Sequence, residues 1–238
     1  MQVEIWSDVV CPWCYIGKRR FESALTHFEA ETGEKVDLVW RSFQLDPTTP
    51  KDAKQSVTEM LSEKYRVSAA EAKAMNDNVT TLAAAEGLDY HLDLARASNT
   101  FDAHRLIHYA AEHGKQDEMQ ERIMQAYFTE GRHVGEIDTL VELAVEIGLN
   151  ADNLRRVLEG DVYSANVRAD IQRAAAIGVR GVPFFVFAEK YGVSGAQRMD
   201  VFLQALEQTW NEIRVQQPTL ISATSADADG CTDDSCAV

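Results

Sequence analysis

The sequence predicts an α/β fold that is interrupted by an all-helical insertion. Residues 1–46 have the pattern of strand, helix and strand, because short alternating apolar segments flank one amphipathic helix. Residues 47–160 lose the strand pattern and contain helical segments punctuated by glycine. Residues 161–214 return to helix, two short strands and a last helix. Residues 215–238 lose apolar periodicity and fill with Ser, Ala, Asp and Gly, which predicts a flexible acidic tail.

The first half of the chain predicts a β-α-β unit. Residues 3–6, VEIW, alternate apolar and polar side chains in a β-rich composition. A helix follows, because apolar residues repeat at the spacing of an amphipathic helix, namely Phe21, Ala24, Leu25 and Phe28. Gly33 suits the end of that helix, since glycine readily adopts the left-handed conformation. Residues 35–43, KVDLVWRSF, alternate again and predict the second strand.

Apolar residues at helical spacing predict the helices of the insertion and of the second half of the chain. One stripe follows the cap-like sequence SNT and contains Ala103, Leu106, Ile107 and Ala110. Another ends at Gly148 and contains Leu140, Leu143, Ala144 and Ile147. Such stripes are typical of the core of a helix bundle. Beyond them, a helix at 164–178 precedes a predicted hairpin, VPFFVF and YGVSG, and the last helix carries Met199, Leu203, Leu206, Trp210 and Ile213 on one side.

Length and charge narrow the function classes. With 238 residues and 45% hydrophobic content, the chain can bury a substantial core. The formal charge of −15 repels nucleic acid and anionic membranes, so neither is an expected partner. The start, MQVEIWSDVV, lacks the pattern of a signal peptide, and no apolar stretch reaches membrane-spanning length, which predicts a cytoplasmic location.

The stretch CPWC places two cysteines where the first strand gives way to a helix. A cysteine in the first turn of a helix faces unpaired N–H groups and the positive end of the helix dipole, which favour thiolate. We therefore predict Cys11 as the nucleophile and the less accessible Cys14 as the resolving thiol. Pro12 suits the first turn, because the N–H that it lacks has no acceptor there. Trp13 is expected to be partly exposed and able to contact a partner chain.

Two alternatives to a redox dithiol stay open for this cysteine pair. The first is a metal site, which needs about four ligands, and no second CxxC or HxxxH lies at zinc-finger spacing. His104 and His108 are spaced i, i+4 on a predicted helix, but no motif joins them to the cysteines. The second alternative is that the two thiols only pack. We predict redox chemistry and no bound metal.

The chain resembles the DsbA-like branch of the thioredoxin superfamily, specifically the FrnE-type oxidoreductases. The resemblance rests on CPWC at a helix start, the helical insertion, GVRGVPFFVF and YGVSGAQ. It implies a thioredoxin-like fold with an inserted all-helical domain and a cis Val182–Pro183 bond facing the dithiol. It also implies that Val182 and Pro183 hold a substrate segment, and that Asn99 and His104 line the cleft. Alternatively, Asn99 caps a helix and His104 lies on a helix surface.

The resemblance implies a thiol-disulfide oxidoreductase that oxidises, reduces or isomerises disulfides of protein or small-molecule substrates. Pro12 and Trp13 are expected beside the substrate. No organic cofactor is required, and glutathione is a candidate co-substrate. Neither the direction of electron flow nor the oligomeric state follows from the sequence.

A second cysteine pair lies in the acidic tail. The stretch CTDDSC resembles the tail of some FrnE-type proteins, and its aspartates should disfavour thiolates at Cys231 and Cys236. A tethered dithiol nevertheless has a high effective concentration at the first pair, so we predict an electron relay. The alternative is an incidental pair or a local disulfide in a disordered tail.

Two rival functions remain. Kappa-class glutathione transferases and 2-hydroxychromene-2-carboxylate isomerases share the helical insertion and are similar at SDVV and GVPFF, but they use glutathione and a serine-type site. The other rival is a non-enzymatic dithiol protein that binds metal or acts as a chaperone. The intact CPWC argues against a glutathione-dependent enzyme with a serine-type site. Only the presence of the cysteines favours a non-enzymatic dithiol protein.

Overall fold

The computed structural model of the protein describes residues 1–216. The first half contains β1 (Gln2–Ser7), α1 (Pro12–Thr32) and β2 (Asp37–Ser42). The middle contains α2 (Val57–Tyr65), α3 (Ala69–Ala85), α4 (Phe101–Glu112), α5 (Gln116–Phe128), α6 (Ile137–Glu146) and α7 (Ala151–Glu159). The second half contains α8 (Ser164–Ala176), β3 (Phe184–Phe187), β4 (Tyr191–Ser194) and α9 (Met199–Gln216). The predicted elements are all present, and α9 continues two residues into the predicted tail.

The four described strands form one sheet in the order β2-β1-β3-β4. β1 and β2 are parallel, as expected for a β-α-β unit, whereas β3 runs antiparallel to both β1 and β4. The predicted hairpin is therefore confirmed. Helices α1 and α9 pack together, and their aromatic side chains meet the side chains of β3. Helix α8 packs near β2.

Alternation along β3 divides the apolar core between the two faces of the sheet. Phe185 and Phe187 are fully buried with Phe21 of α1 and Phe202 of α9. The rings of Phe185 and Phe202 have centroids 4.6 Å apart in an edge-to-face arrangement, which is favourable for aromatic pairs. On the other face, Phe184 and Val186 pack with Trp6. Both faces of the sheet are thus covered.

Helices α2 to α7 lie within the predicted insertion at 47–160. Ion pairs and hydrogen bonds connect the insertion to α1: Arg20 Nε donates to Glu86 at 2.6 Å, and the Tyr15 hydroxyl donates to Glu121 at 2.5 Å. The insertion therefore sits directly against the helix that carries the cysteines. Within residues 1–216, no helix has the length and apolar composition needed to cross a membrane.

Candidate active site

The turn between β1 and α1 places the two cysteines. Cys11 is the N-cap of α1 with extended backbone angles, and Pro12 is the first residue of the helix, as predicted. The N–H of Cys11 donates to the carbonyl of Asp8 at 3.0 Å, and the N–H of Cys14 donates to the carbonyl of Cys11 at 3.0 Å. Both cysteines are free thiols and are buried, with 3% of Cys11 and 1% of Cys14 exposed. The two thiols therefore occupy one helical turn.

The surroundings of Cys14 keep it protonated. Burial raises the pKa of its thiol well above the usual range, and a hydrogen bond with Cys11 and the charge of Cys11 raise the pKa further. The Ser7 hydroxyl and the backbone of Asp8 act in the opposite direction without offsetting burial. Because only the thiolate is a nucleophile, Cys14 reacts only after it loses its proton.

The loop before β3 forms the surface opposite the dithiol. The Val182–Pro183 peptide bond is cis, as the resemblance implies, and Cys11 Sγ donates to the carbonyl oxygen of Val182 at 3.6 Å. Helix α1 approaches this loop closely at Gly17, where a Cβ atom would lie 2.9 Å from Pro183 Cγ. A larger residue at position 17 would push the helix and the loop apart.

A cavity of about 410 Å³ opens at the dithiol. Its wall on one side contains Asp8, Val10, Cys11, Pro12, Trp13 and Val182. Across from them, helices α2 and α3 contribute Val57, Met60, Leu61, Lys64, Met75 and Val79. The volume lies in the usual range of ligand pockets, which is about 300–1,000 Å³. Most of the lining side chains are apolar, so the cavity suits an apolar group next to a reacting sulfur.

Exposed apolar side chains surround the mouth of this cavity. Trp13 is 41% exposed, as predicted, and Leu45, Tyr65 and Met75 are also exposed while lining the cavity. Single exposed apolar residues are ordinary, but a group of them around a cleft marks a binding surface. The apolar surface of the site therefore extends from the dithiol to the solvent.

Comparison with known proteins assigns the family. The model of the DSBA-like thioredoxin domain matches residues 2–207. The chain belongs to this family. Its sequence is 47% identical to that of a probable DsbA oxidoreductase from Streptomyces coelicolor, whose crystal structure is known. The two structures have a TM-score of 0.84, and the match covers 98% of this chain and 99% of the other. The thioredoxin-like fold predicted from the sequence is thereby confirmed.

More distant relatives match this DSBA-like domain in sequence or in fold. The Bacillus subtilis protein YwbO is 28% identical over 87% of this chain and 96% of its own length. A 2-hydroxychromene-2-carboxylate isomerase is 12% identical, with a TM-score of 0.66 over 92% of this chain and all of that one. At such low identity, the isomerase shows a shared fold and nothing about the reaction.

Asn99 and His104, which were expected to line the cleft, do not lie in the wall of the cavity. Asn99 Nδ2 donates to the carbonyl of Thr49 at 2.7 Å, and Asn99 Oδ1 accepts the N–H of Phe101 at 3.1 Å, so this side chain holds the start of α4. His104 is buried and lies 3.4 Å from Asp8. His104 is not on a helix surface either. His104 faces the protein interior because α4 is buried along most of its length, and the half-buried Asn99 lies just before this helix.

Sequence reasoning missed two residues next to the dithiol. Asp8 is buried in the cavity wall, and the only signal for it was an acidic residue three positions before Cys11. Tyr90, in the loop between α3 and α4, donates its hydroxyl to the carbonyl of Pro12 at 2.8 Å and stacks on Phe128. No sequence pattern marks Tyr90, because its partner is 78 residues away in the chain.

The residues considered for a metal site are separated in the structure. His104 faces Asp8, whereas His108 Nε2 lies 3.0 Å from Asp170. Within residues 1–216, no three side chains among His, Cys, Asp and Glu gather as metal ligands would. Cys231 and Cys236 lie outside the described residues, so the relay stays a prediction.

Proposed function

We propose that Cys11 and Cys14 carry out thiol-disulfide exchange. The proposal rests mainly on the position of Cys11, which is the N-cap residue of α1 and lines the cavity. The thiol of Cys14, which is buried and protonated, lies one helical turn away. In the reductive direction, the Cys11 thiolate attacks a substrate disulfide, and Cys14 then displaces the substrate from the mixed disulfide. The oxidised pair runs the same steps in reverse.

The substrate that suits this site best is a polypeptide segment with an apolar residue beside its cysteine. The apolar lining continues from the dithiol to exposed side chains at the mouth of the cavity, which favours an extended chain over a compact small molecule. The carbonyl of Val182 faces the dithiol and is placed to accept an N–H from such a segment. Pro183, on the same loop, keeps the role of positioning that segment.

Glutathione is a poorer match to this wall. Among the described residues that line the cavity, Lys64 is the one cationic side chain, and Asp8 and Asp46 also line it. A ligand with two carboxylates gains most from a site with an excess of positive charge. A glutathione-dependent isomerase or transferase would, in addition, retain its activity without Cys11. Membership in the FrnE-type branch and a cytoplasmic location remain part of the proposal.

A redox titration tests the proposed function. The purified protein is equilibrated across a glutathione redox series, free thiols are trapped by alkylation, and each cysteine peptide is quantified by mass. The first pair should titrate as one two-electron couple. Cys11→Ser should lower disulfide exchange by at least about 10³-fold, since the nucleophile is lost. Full exchange activity in Cys11→Ser would show that the assignment is wrong.

A further inference from the structure

Two side chains with hydroxyl groups, Thr100 and Tyr127, line the buried part of the cavity. Each residue is only 2% exposed, and both belong to the cavity wall. Thr100 is the N-cap residue of α4, yet its side chain makes no cap hydrogen bond. Burial and the charge of Asp8 raise the pKa of Tyr127, and its hydroxyl makes no hydrogen bond within residues 1–216. Buried polar groups without partners are uncommon, and each calls for a physical reason.

Both hydroxyls are reached through the cavity. Asp8 Oδ1 and His104 Nε2 are sealed from solvent and have no hydrogen-bond partner in the described part of the chain. The hydroxyls of Thr100 and Tyr127 also lack a partner there, but they are not sealed in this way. Because both residues are otherwise buried, the cavity that they line is where their hydroxyls are accessible. A ligand inside the cavity can therefore form hydrogen bonds with them.

Asp8 connects the surroundings of the two hydroxyls. The N–H of His104 donates to the carbonyl of Thr100 at 3.0 Å, and His104 Nε2 lies 3.4 Å from Asp8 Oδ1. The charge of Asp8 also acts on Tyr127. Asp8 precedes Cys11 by three residues and lines the cavity together with it. The two hydroxyls thus lie at the buried end of the cavity, near the dithiol.

The rest of the buried cavity wall is mostly apolar. Val57, Val79, Leu92 and Phe128 line it and are at most 7% exposed. A pocket of this kind packs the apolar body of a ligand and fixes its orientation through a few polar groups. A hydroxyl on the ligand matches the two protein hydroxyls, because a hydroxyl both donates and accepts hydrogen bonds. Among amino-acid side chains, only tyrosine combines a hydroxyl with a large apolar ring.

We propose that the buried end of the cavity is a subsite for a tyrosine side chain next to the reactive cysteine of the substrate, and that Thr100 and Tyr127 determine this specificity. The substrate ring packs on the apolar wall, and its hydroxyl forms hydrogen bonds with the two protein hydroxyls. This inference rests on the exchange reaction proposed above and specifies the residue beside the substrate cysteine. The subsite contributes binding only, so no covalent bond to Thr100 or Tyr127 forms or breaks.

The test compares substrates that differ only in the hydroxyl of the aromatic residue. The probes are the symmetrical disulfides of acetylated, amidated Tyr-Cys and Phe-Cys peptides, and each peptide is also made in the reverse residue order. Second-order rate constants are measured on the reduced full chain carrying Cys231→Ser and Cys236→Ser. In at least one residue order, the tyrosine peptide should react about tenfold faster than the phenylalanine peptide, because phenylalanine leaves the buried hydroxyls without a partner.

Thr100→Val and Tyr127→Phe each remove one hydroxyl and keep nearly the same side-chain shape. Each should lower the tyrosine-to-phenylalanine ratio of rate constants by roughly threefold, the effect of losing one hydrogen bond. The matched control is Tyr109→Phe, because Tyr109 is also buried without a hydrogen bond from its hydroxyl within residues 1–216 but lies outside the cavity wall. It should leave the ratio unchanged. A general loss of folding or of Cys11 reactivity lowers both rate constants together and cancels in the ratio.

The outcomes separate this inference from the proposed function. A ratio near one in both residue orders, with Thr100 and Tyr127 intact, would overturn the subsite while leaving exchange at Cys11 in place. A tyrosine preference that persists in both Thr100→Val and Tyr127→Phe would also overturn it, because the preference would then arise elsewhere on the protein. Reaction of Cys11→Ser with the probes at the original rates would overturn the exchange reaction itself.

Discussion

The two walls of the active-site cavity are built in different ways. The dithiol wall, made of Asp8, Cys11, Pro12, Trp13 and Val182, depends on backbone geometry: a helix N-cap, a tight turn and a carbonyl 3.6 Å from a sulfur. The helical wall consists of the side chains that α2, α3 and their neighbouring loops present, several of them exposed at the mouth. Small shifts in the first wall would misplace sulfur atoms, whereas the second can change shape by side-chain substitution.

This difference assigns different tasks to the two regions. The proposed thiol-disulfide exchange needs sulfurs held in line, so the dithiol wall should govern the rate of the chemical steps. An apolar surface binds a substrate through area removed from water, so the helical wall should govern which substrate binds. Because the helical wall comes from an insertion, its binding properties can vary without any change to the first half of the chain.

The largest effect is expected from Cys14→Ser, in the dithiol wall. Without the resolving thiol, the mixed disulfide with Cys11 has no internal way to break, so turnover should fall by at least about 10³-fold. A covalent complex of protein and substrate should accumulate, and intact-protein mass measured without reductant detects it. Sustained turnover without this complex would mean that Cys14 only packs against its neighbours.

A smaller effect is expected from Met75→Ser, at the rim of the helical wall. Met75 is exposed and lines the cavity, so losing its side chain should cost part of the apolar contact with a peptide and lower kcat/KM roughly tenfold. The effect should lie in KM, with kcat retained, because the sulfurs do not move. Initial turnover rates, measured over a range of concentrations of the symmetrical disulfide of an acetylated, amidated Phe-Cys peptide, give both constants.

Met199→Ser is the matched control for that prediction. Met199 has a similar exposure but lies at the start of α9, outside the cavity. Its loss should leave both constants unchanged. Equal effects of the two substitutions, or a loss confined to kcat in Met75→Ser, would break the division of tasks between the walls.

Local sequence patterns were sufficient for the CPWC part of the dithiol wall, whereas Asp8 was missed and Val182 followed from the family resemblance. Cys11 at a helix start, Pro12 in the first turn and an exposed Trp13 were predicted from four adjacent residues, because neighbours in the chain fix a helix terminus. The β-α-β unit, the hairpin and the insertion were also predicted, since each has its own apolar periodicity.

The helical wall could not be predicted in the same way. Met60 and Val79 belong to ordinary amphipathic helices, and nothing in their spacing distinguishes a cavity wall from a buried core. His104 was misplaced for a related reason: periodicity gives the face of a helix but not the element packed against it, and here that element carries Asp8. Such contacts depend on tertiary packing between distant segments.

The smallest effect is expected from Tyr90→Phe, at the point where the two walls are joined. The Tyr90 hydroxyl links the insertion to the carbonyl of Pro12 in the first turn of α1, and its ring is buried. Removing one such hydrogen bond should lower the free energy of unfolding by about 1 kcal/mol, measured by urea denaturation.

Tyr109→Phe is the control, because Tyr109 is similarly buried while its hydroxyl makes no hydrogen bond within residues 1–216. If both variants lose the same stability, the hydrogen bond to Pro12 contributes nothing, and other contacts between α1 and the insertion, such as the hydrogen bond from Tyr15 to Glu121, hold the two walls together. If only Tyr90→Phe loses stability, the insertion is also tied to the dithiol wall through the backbone of the CPWC turn.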